Sequence, residues 1–173
     1  DRSIDLTIFT ALTLEKPRPS SDLERRFSGP IVERLFGGYP DLDYAKAVHA
    51  NALPPNVHVN EFFFLAGRWL RSPYAQQHYI AANYTHAFDY LLARNVNVVA
   101  QLVARRGEGQ GDGSAARYSL SCNTDITVDL LKARNDGRAN FKMYAQVNSE
   151  LPFMPGDGDL PAGEFAGVLA SPE

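Results

Sequence analysis

The sequence is poor in the groups that would give its function away. It has one cysteine, Cys122, in 173 residues. An internal disulfide and a cysteine-based zinc knuckle within the chain are therefore excluded, and a lone thiol fits a reducing cytosol. No apolar run approaches the ~20 residues of a membrane span. Residues 1–30 carry charges throughout and lack the apolar core of a secretory leader. Neither sign of charge dominates: 17 Lys+Arg against 20 Asp+Glu leave a net charge of −3 and a pI near 5.8. That balance argues against nucleic acid and membrane surfaces as partners. Also missing are the Gly-x-Ser-x-Gly elbow of serine hydrolases and the Gly-x-x-x-x-Gly-Lys-Ser/Thr loop of nucleotide binders. The expectation is a cytoplasmic protein without metal or bound cofactor.

What is present is ordinary globular material. Hydrophobic residues make up 45%, close to the ~45–50% of soluble domains, so disorder is excluded. The length suits about one domain of ~100–150 residues. The chain opens at Asp1 without Met and reaches the apolar run Ile4-Asp5-Leu6-Thr7-Ile8-Phe9 within three residues. We expect residues 1–173 to be a single domain excised from something longer; a processed small protein is the alternative.

Periodicity alternates between strand and helix, the mark of an α/β domain with a mostly parallel sheet between helical layers. A strand is expected over residues 4–14. Ser21-Asp22-Leu23-Glu24 reads as a capping box that opens a helix with Leu23, Phe27, Ile31 and Leu35 on one face, interrupted at Gly29-Pro30. Asp41 is expected to cap a second helix to about residue 51. Residues 57–64 and 79–82 read as strands, with loop or short helices between. Thr85 is expected to cap a helix to Arg94. Residues 96–103 read as a central parallel strand buried on both faces. A Gly-rich tip at 107–115 leads to a hairpin return at 118–121. Asn123 or Thr124 then caps a helix to about Asn135, the last strand covers 141–147, and a Pro/Gly-rich tail closes the chain.

Ligands in such sheets bind at the carboxyl ends of strands, here Asn60-Glu61, Asn83-Tyr84-Thr85-His86, Gln101 and Asn148. The second group sets an amide, a phenol, a hydroxyl and an imidazole before a helix whose amides favour an anion; a plainly capped helix is the alternative. Glu61 reads as a candidate carboxylate or as a solvated loop residue. His49, His58, His78 and His86 show no helical metal spacing and read as surface or partly buried side chains. The alternate glycines of residues 107–113 lack phosphate-loop spacing and read as a hairpin tip. Cys122, beside a helix start that favours a thiolate, with His86 as base, would make a thioesterase pair; a small apolar filler is the alternative.

Three segments carry a resemblance: residues 95–103 (NVNVVAQLV), 117–125 (RYSLSCNTD) and 145–154 (AQVNSELPFM). In this order they resemble the amino-terminal half of the acetyl-CoA hydrolase/transferase family, over about residues 4–159. The sequence departs from the family in having Ser121 where members often have Gly. It also carries the Gly-rich run in place of the usual SP-x-D-x-HG wording.

The resemblance implies a three-layer α/β/α domain of the CoA-transferase type, from a two-domain enzyme whose cleft lies between the halves. It implies nucleophilic catalysis by a glutamate on an acyl-CoA thioester, through an acyl-glutamyl anhydride and a glutamyl-CoA thioester. That glutamate belongs to the carboxyl-terminal half, so no catalytic residue is assigned here, Glu61 included. Asn83 and Thr85 are the expected substrate-binding residues. Coenzyme A enters as substrate, not cofactor. The expected partners are acyl-CoA, small carboxylates and the chain's own carboxyl-terminal domain, with a homodimer left open. Competing readings are a stand-alone Cys122/His86 thioesterase and a non-catalytic binding module of the same fold.

Overall fold

The computed structural model describes residues 3–11, 15–63, 67, 69–107 and 115–170. The chain is α/β, and its residues gather into two compact units, Asp1–Thr85 and His86–Glu173.

In the first unit, β1 (Leu6–Thr10) pairs in parallel with β2 (Val57–Glu61), Leu6 against Val57 and Thr10 against Glu61. Residues 12–14 and 64 of the expected strands lie outside the described residues. Three helices accompany the pair: α1 (Asp22–Phe36), α2 (Asp43–His49) and α3 (Pro73–His78). Ala45 and Val48 of α2, Val59 of β2, Ala75 of α3 and Trp69 from the turn before α3 form the core. Burial of these apolar groups is what holds α2 and α3 to the strands. Ser72 caps α3 by accepting from the Ala75 amide, and Pro73 occupies the first turn, where its missing N–H costs nothing. The expected strand at 79–82 reduces to a single bridge between Tyr79 and Glu61.

The capping box is present but displaced. Ser21 Oγ accepts from the Glu24 amide, yet the Glu24 carboxylate reaches past Ser21 to accept from both the amide and hydroxyl of Ser20. Those hydrogen bonds, the backbone one foremost, hold Glu24 below the ordinary carboxylate range. Helix α1 is not interrupted at Gly29-Pro30 but runs straight through them. Interior Gly and Pro cost a helix roughly 1 and 3 kcal/mol, and α1 offsets this with no buried residue of its own. The face that carries Leu23, Phe27, Ile31 and Leu35 is exposed.

Asp41 does not cap α2. The N-cap is Leu42, which offers no side-chain bond, and Asp41 instead meets Lys46 at 3.2 Å and Arg18 at 3.6 Å. A charged ammonium one turn into the helix attracts the carboxylate more strongly than the end amides do.

In the second unit, five strands run in the order β6-β4-β3-β5-β7: β3 (Val98–Arg106), β4 (Arg117–Ser119), β5 (Lys142–Val147), β6 (Asp159–Pro161) and β7 (Gly167–Leu169). Pairings of β3 with β5 and β5 with β7 are parallel; those of β3 with β4 and β4 with β6 are antiparallel. The hairpin return is as expected. β3 is not buried on both faces, since Val98 and Leu102 are exposed while Val103 is buried. The tail read as irregular supplies both edge strands, β6 and β7.

Helices α4 (Ala87–Ala93) and α5 (Asp125–Asn135) pack against one another and on the sheet face carrying Val103, Met143 and Ala145. Thr124 is the N-cap of α5 without a side-chain bond. No helix among the described residues is long and apolar enough to cross a membrane.

The Asp41–Lys46 pair makes a checkable statement. The Lys46 hydrogen bond, helped by the charges of Lys46 and Arg18, lowers the Asp41 pKa against some desolvation. A depressed folded pKa contributes stability above the unfolded value and loses it as pH falls through the folded one. In an NMR titration the Asp41 carboxyl should therefore protonate below an ordinary aspartate, and Lys46→Met should bring it back up.

Candidate functional site

The strand ends expected to hold ligands divide between the two units. At the end of β2, Glu61 is buried, 5% exposed, which rules out the solvated-loop reading. Its carbonyl accepts from the Ile80 amide. The space beside it, shared with Val59, Trp69 and Ala75, is about 10 Å³, the lower limit for one water. That space does not admit a substrate-sized group.

Two of the histidines are structural. His49 stacks on Trp69 with ring centroids 4.1 Å apart and meets Glu15 at 3.1 Å. His78 stacks on Tyr74 at 4.0 Å, and its Nδ1 lies 2.9 Å from the Tyr74 carbonyl, so Nδ1 carries the proton that is donated there. The Tyr74 hydroxyl in turn accepts from the Val59 amide, pinning the stack to β2. His58, Asn51, Pro54 and this stack border a cavity of about 290 Å³. No cluster of three or more metal-ligating side chains occurs among the described residues.

Asn83 and Thr85 are both exposed. Thr85 sits inside a 3-10 turn, Tyr84–His86, and does not cap α4, whose N-cap is His86 without a side-chain bond. The hydroxyl expected to cap a helix is instead left to solvent. Tyr84 contacts Phe62, which stacks on Phe9 at the end of β1. The turn is thereby anchored at the carboxyl end of the parallel pair, with its polar side chains outward.

Gln101 is not at a strand end. It lies within β3, and its Oε1 accepts from the Thr127 hydroxyl at 3.0 Å, tying α5 to the sheet. Asn148, which does follow β5, spends its Oδ1 on the Glu150 amide, a local turn.

The arrangement at the end of β4 has no counterpart in the expectations. The Ser119 side chain is fully buried. Its Oγ donates to the Met154 carbonyl at 2.8 Å and accepts from the amides of Met154 at 3.0 Å and Ser121 at 3.1 Å. The Leu120 amide donates to the Gly158 carbonyl. One strand further, Arg117 Nε donates to Asp159 at 2.7 Å, Arg106 lies 3.5 Å from the same carboxylate, and the Arg106 guanidinium covers the Phe153 ring. Residues 117–122 and 153–159 are thus locked together. The only sequence signal for this was the small polar Ser119 between Tyr118 and Leu120.

Ser121 has φ of +55°, a left-handed conformation that costs an L-residue roughly 1 kcal/mol and glycine almost nothing. Cys122 is exposed, its Sγ 3.5 Å from Ser121 Oγ. Among the described residues His86 makes no hydrogen bond to it.

Comparison with known proteins gives little. No family profile and no curated protein matches the chain. Among solved structures, the chain is similar to a 4-hydroxybutyrate CoA-transferase from Porphyromonas gingivalis, with a TM-score of 0.36 and 15% identity over 68% of this chain. The chain spans 28% of that protein's length.

Two substitutions probe the β4 end. Ser119→Ala leaves two amides and a carbonyl without their buried partner and should cost about 1–3 kcal/mol in urea unfolding. Ser121→Gly should instead raise the stability by up to about 1 kcal/mol, because it relieves the positive φ.

Proposed function

We propose that this chain is the amino-terminal part of an acetyl-CoA hydrolase or acyl-CoA:carboxylate CoA-transferase. It lines the acyl and CoA side of a cleft, and the nucleophilic glutamate belongs to a carboxyl-terminal half. The observation that carries the reading is the union of the three resembling segments. Residues 98–103 lie beside 142–147 as parallel strands, and Ser119 clasps Met154. Segments distant in sequence thus form one sheet and its rim. Ser121 supports it further: its positive φ is what a glycine, the family's common residue there, would satisfy.

In this reading Asn83 and Thr85 act as binding residues, an amide and a hydroxyl free at the surface to hydrogen-bond a thioester carbonyl or a carboxylate. Glu61, being buried, takes no part in acyl transfer. The chain by itself binds and orients; the covalent steps require the glutamate of the other half.

The test is acetyl-CoA consumption, with and without added carboxylate, for this chain and for its full-length parent, read as free thiol and as new acyl-CoA. The expected result is turnover by the parent alone: free thiol and acetate if it is a hydrolase, and acetate with a new acyl-CoA but no free thiol if it is a transferase. Release by the isolated chain, abolished by Cys122→Ala, would sink the proposal in favour of a thioesterase. In the parent, Asn83→Ala and Thr85→Ala should each raise KM about tenfold with a smaller change in kcat, the sign of lost ground-state binding.

A further inference from the structure

The carboxyl end of β3 gathers more positive charge than the sheet itself can use. Arg106, the last residue of β3, stands directly opposite Arg117, the first residue of β4. Like charges so placed destabilise a strand pair. Asp159 of β6 is the one carboxylate that the described residues set against them. It does not serve both equally. Arg117 grips β6, its Nε donating to Asp159 Oδ1 at 2.7 Å and its Nη2 to the Asp159 carbonyl at 2.8 Å. Arg106 reaches only Asp159 Oδ2, at 3.5 Å, longer than an ordinary hydrogen bond.

The Arg106 guanidinium is nevertheless held in place. Its Cζ lies 4.2 Å from the centre of the Phe153 ring, a cation–π contact. Phe153 in turn precedes Met154, which Ser119 clasps. Alternation along the strands sets Arg106, Arg117 and Asp159 on one face of the sheet, opposite to the face of Val103. Among the described residues, Nε and Nη1 of Arg106 and Nη1 of Arg117 have no hydrogen-bond partner. The two arginine side chains are 54% and 42% exposed, against 13% for Asp159. The cations are open to solvent and the anion they share is nearly covered.

We propose that Arg106 and Arg117 form a binding site for a phosphoryl group. Two guanidiniums on one carboxylate leave a full positive charge uncompensated, and an anion that enters relieves their mutual repulsion. Guanidinium N–H groups match phosphate oxygens in distance and direction. A tetrahedral phosphate offers separate oxygens to both arginines at once, whereas the two oxygens of a planar carboxylate suit a single fork. The stack on Phe153 orients Arg106 in advance, which lowers the entropy lost on binding. The site also lies at the carboxyl end of a strand, where open α/β sheets hold their ligands.

An NMR titration of this chain with inorganic phosphate at constant ionic strength, read on the arginine Nε–H signals, tests this. The expected result is a saturable shift of Arg106 and Arg117 with a Kd in the millimolar range. Arg106→Gln should weaken binding at least about tenfold. Its circular dichroism should be unchanged, because Arg106 is exposed and Arg117 keeps its grip on β6. Asp159→Asn keeps an acceptor for Arg117 but removes the competing charge, and should tighten binding about threefold. A titration without saturation, equal shifts with chloride or acetate, or an Arg106→Gln chain that binds as before overturns the proposal. Coenzyme A set against dephospho-coenzyme A separates the sources of the phosphoryl group. Tighter binding of the former, lost in Arg106→Gln, assigns the site to the coenzyme; equal binding beside a saturable phosphate shift assigns it to another phosphorylated ligand. Phosphate binding is read without any acyl transfer, so failure here and failure of the CoA reading are told apart.

Discussion

The second unit depends on the parallel pairing of β3 with β5, six residue pairs from Val98–Lys142 to Val103–Val147. Every other strand in the sheet attaches to one of these two, directly or through β4. A parallel pair cannot be closed by a tight turn, so the chain between them must travel. It does so through β4 and α5, and this one constraint makes the sheet mixed. The return of β4 beside β3 is antiparallel because it follows a hairpin; α5 then crosses to deliver β5 in parallel. The alternation of Met143 and Ala145 with exposed Tyr144 shows which face α4 and α5 were drawn to cover.

This explains why some of the fold was legible in the sequence and some was not. β3 and α5 were visible because each is long enough for its periodicity to show. The edge strands β6 and β7 were not: with three residues each, they have no period to read, and they pair because β4 and β5 offer open edges. Local propensity argues for a break at Pro30, yet the helix continues through it. The position of Asp41 before a helix suggests a cap, but Lys46 offers its carboxylate a full charge. For the edge strands and Asp41, a partner distant in sequence or one turn away overrode the local signal; nothing in the structure explains the passage of α1 through Pro30.

The candidate site was legible to a smaller degree. Asn83 and Thr85 were placed at a strand end, and the structure holds their turn near the ends of β1 and β2 through Tyr84, Phe62 and Phe9. Gln101 was misplaced, since side-chain polarity in the middle of an apolar run looks like a terminus when it is in fact a tie to Thr127. Nothing local in the sequence marks Ser119. A hydroxyl can bind two amides and a carbonyl only if the chain brings residue 154 back to it. That return depends on β6, the strand no pattern announced.

Ser121 and Glu61 show how conformation and burial sort residues that composition cannot. A serine at φ of +55° is an ordinary residue in an uncomfortable backbone, and the buried Ser119 hydroxyl, which accepts its amide, helps to hold it there. The discomfort is therefore local and sustained by the clasp on Met154: where the clasp forms, the turn must take this shape whatever residue occupies it. Glu61 is the reverse case, a residue type suited to chemistry that is buried beside a space the size of one water.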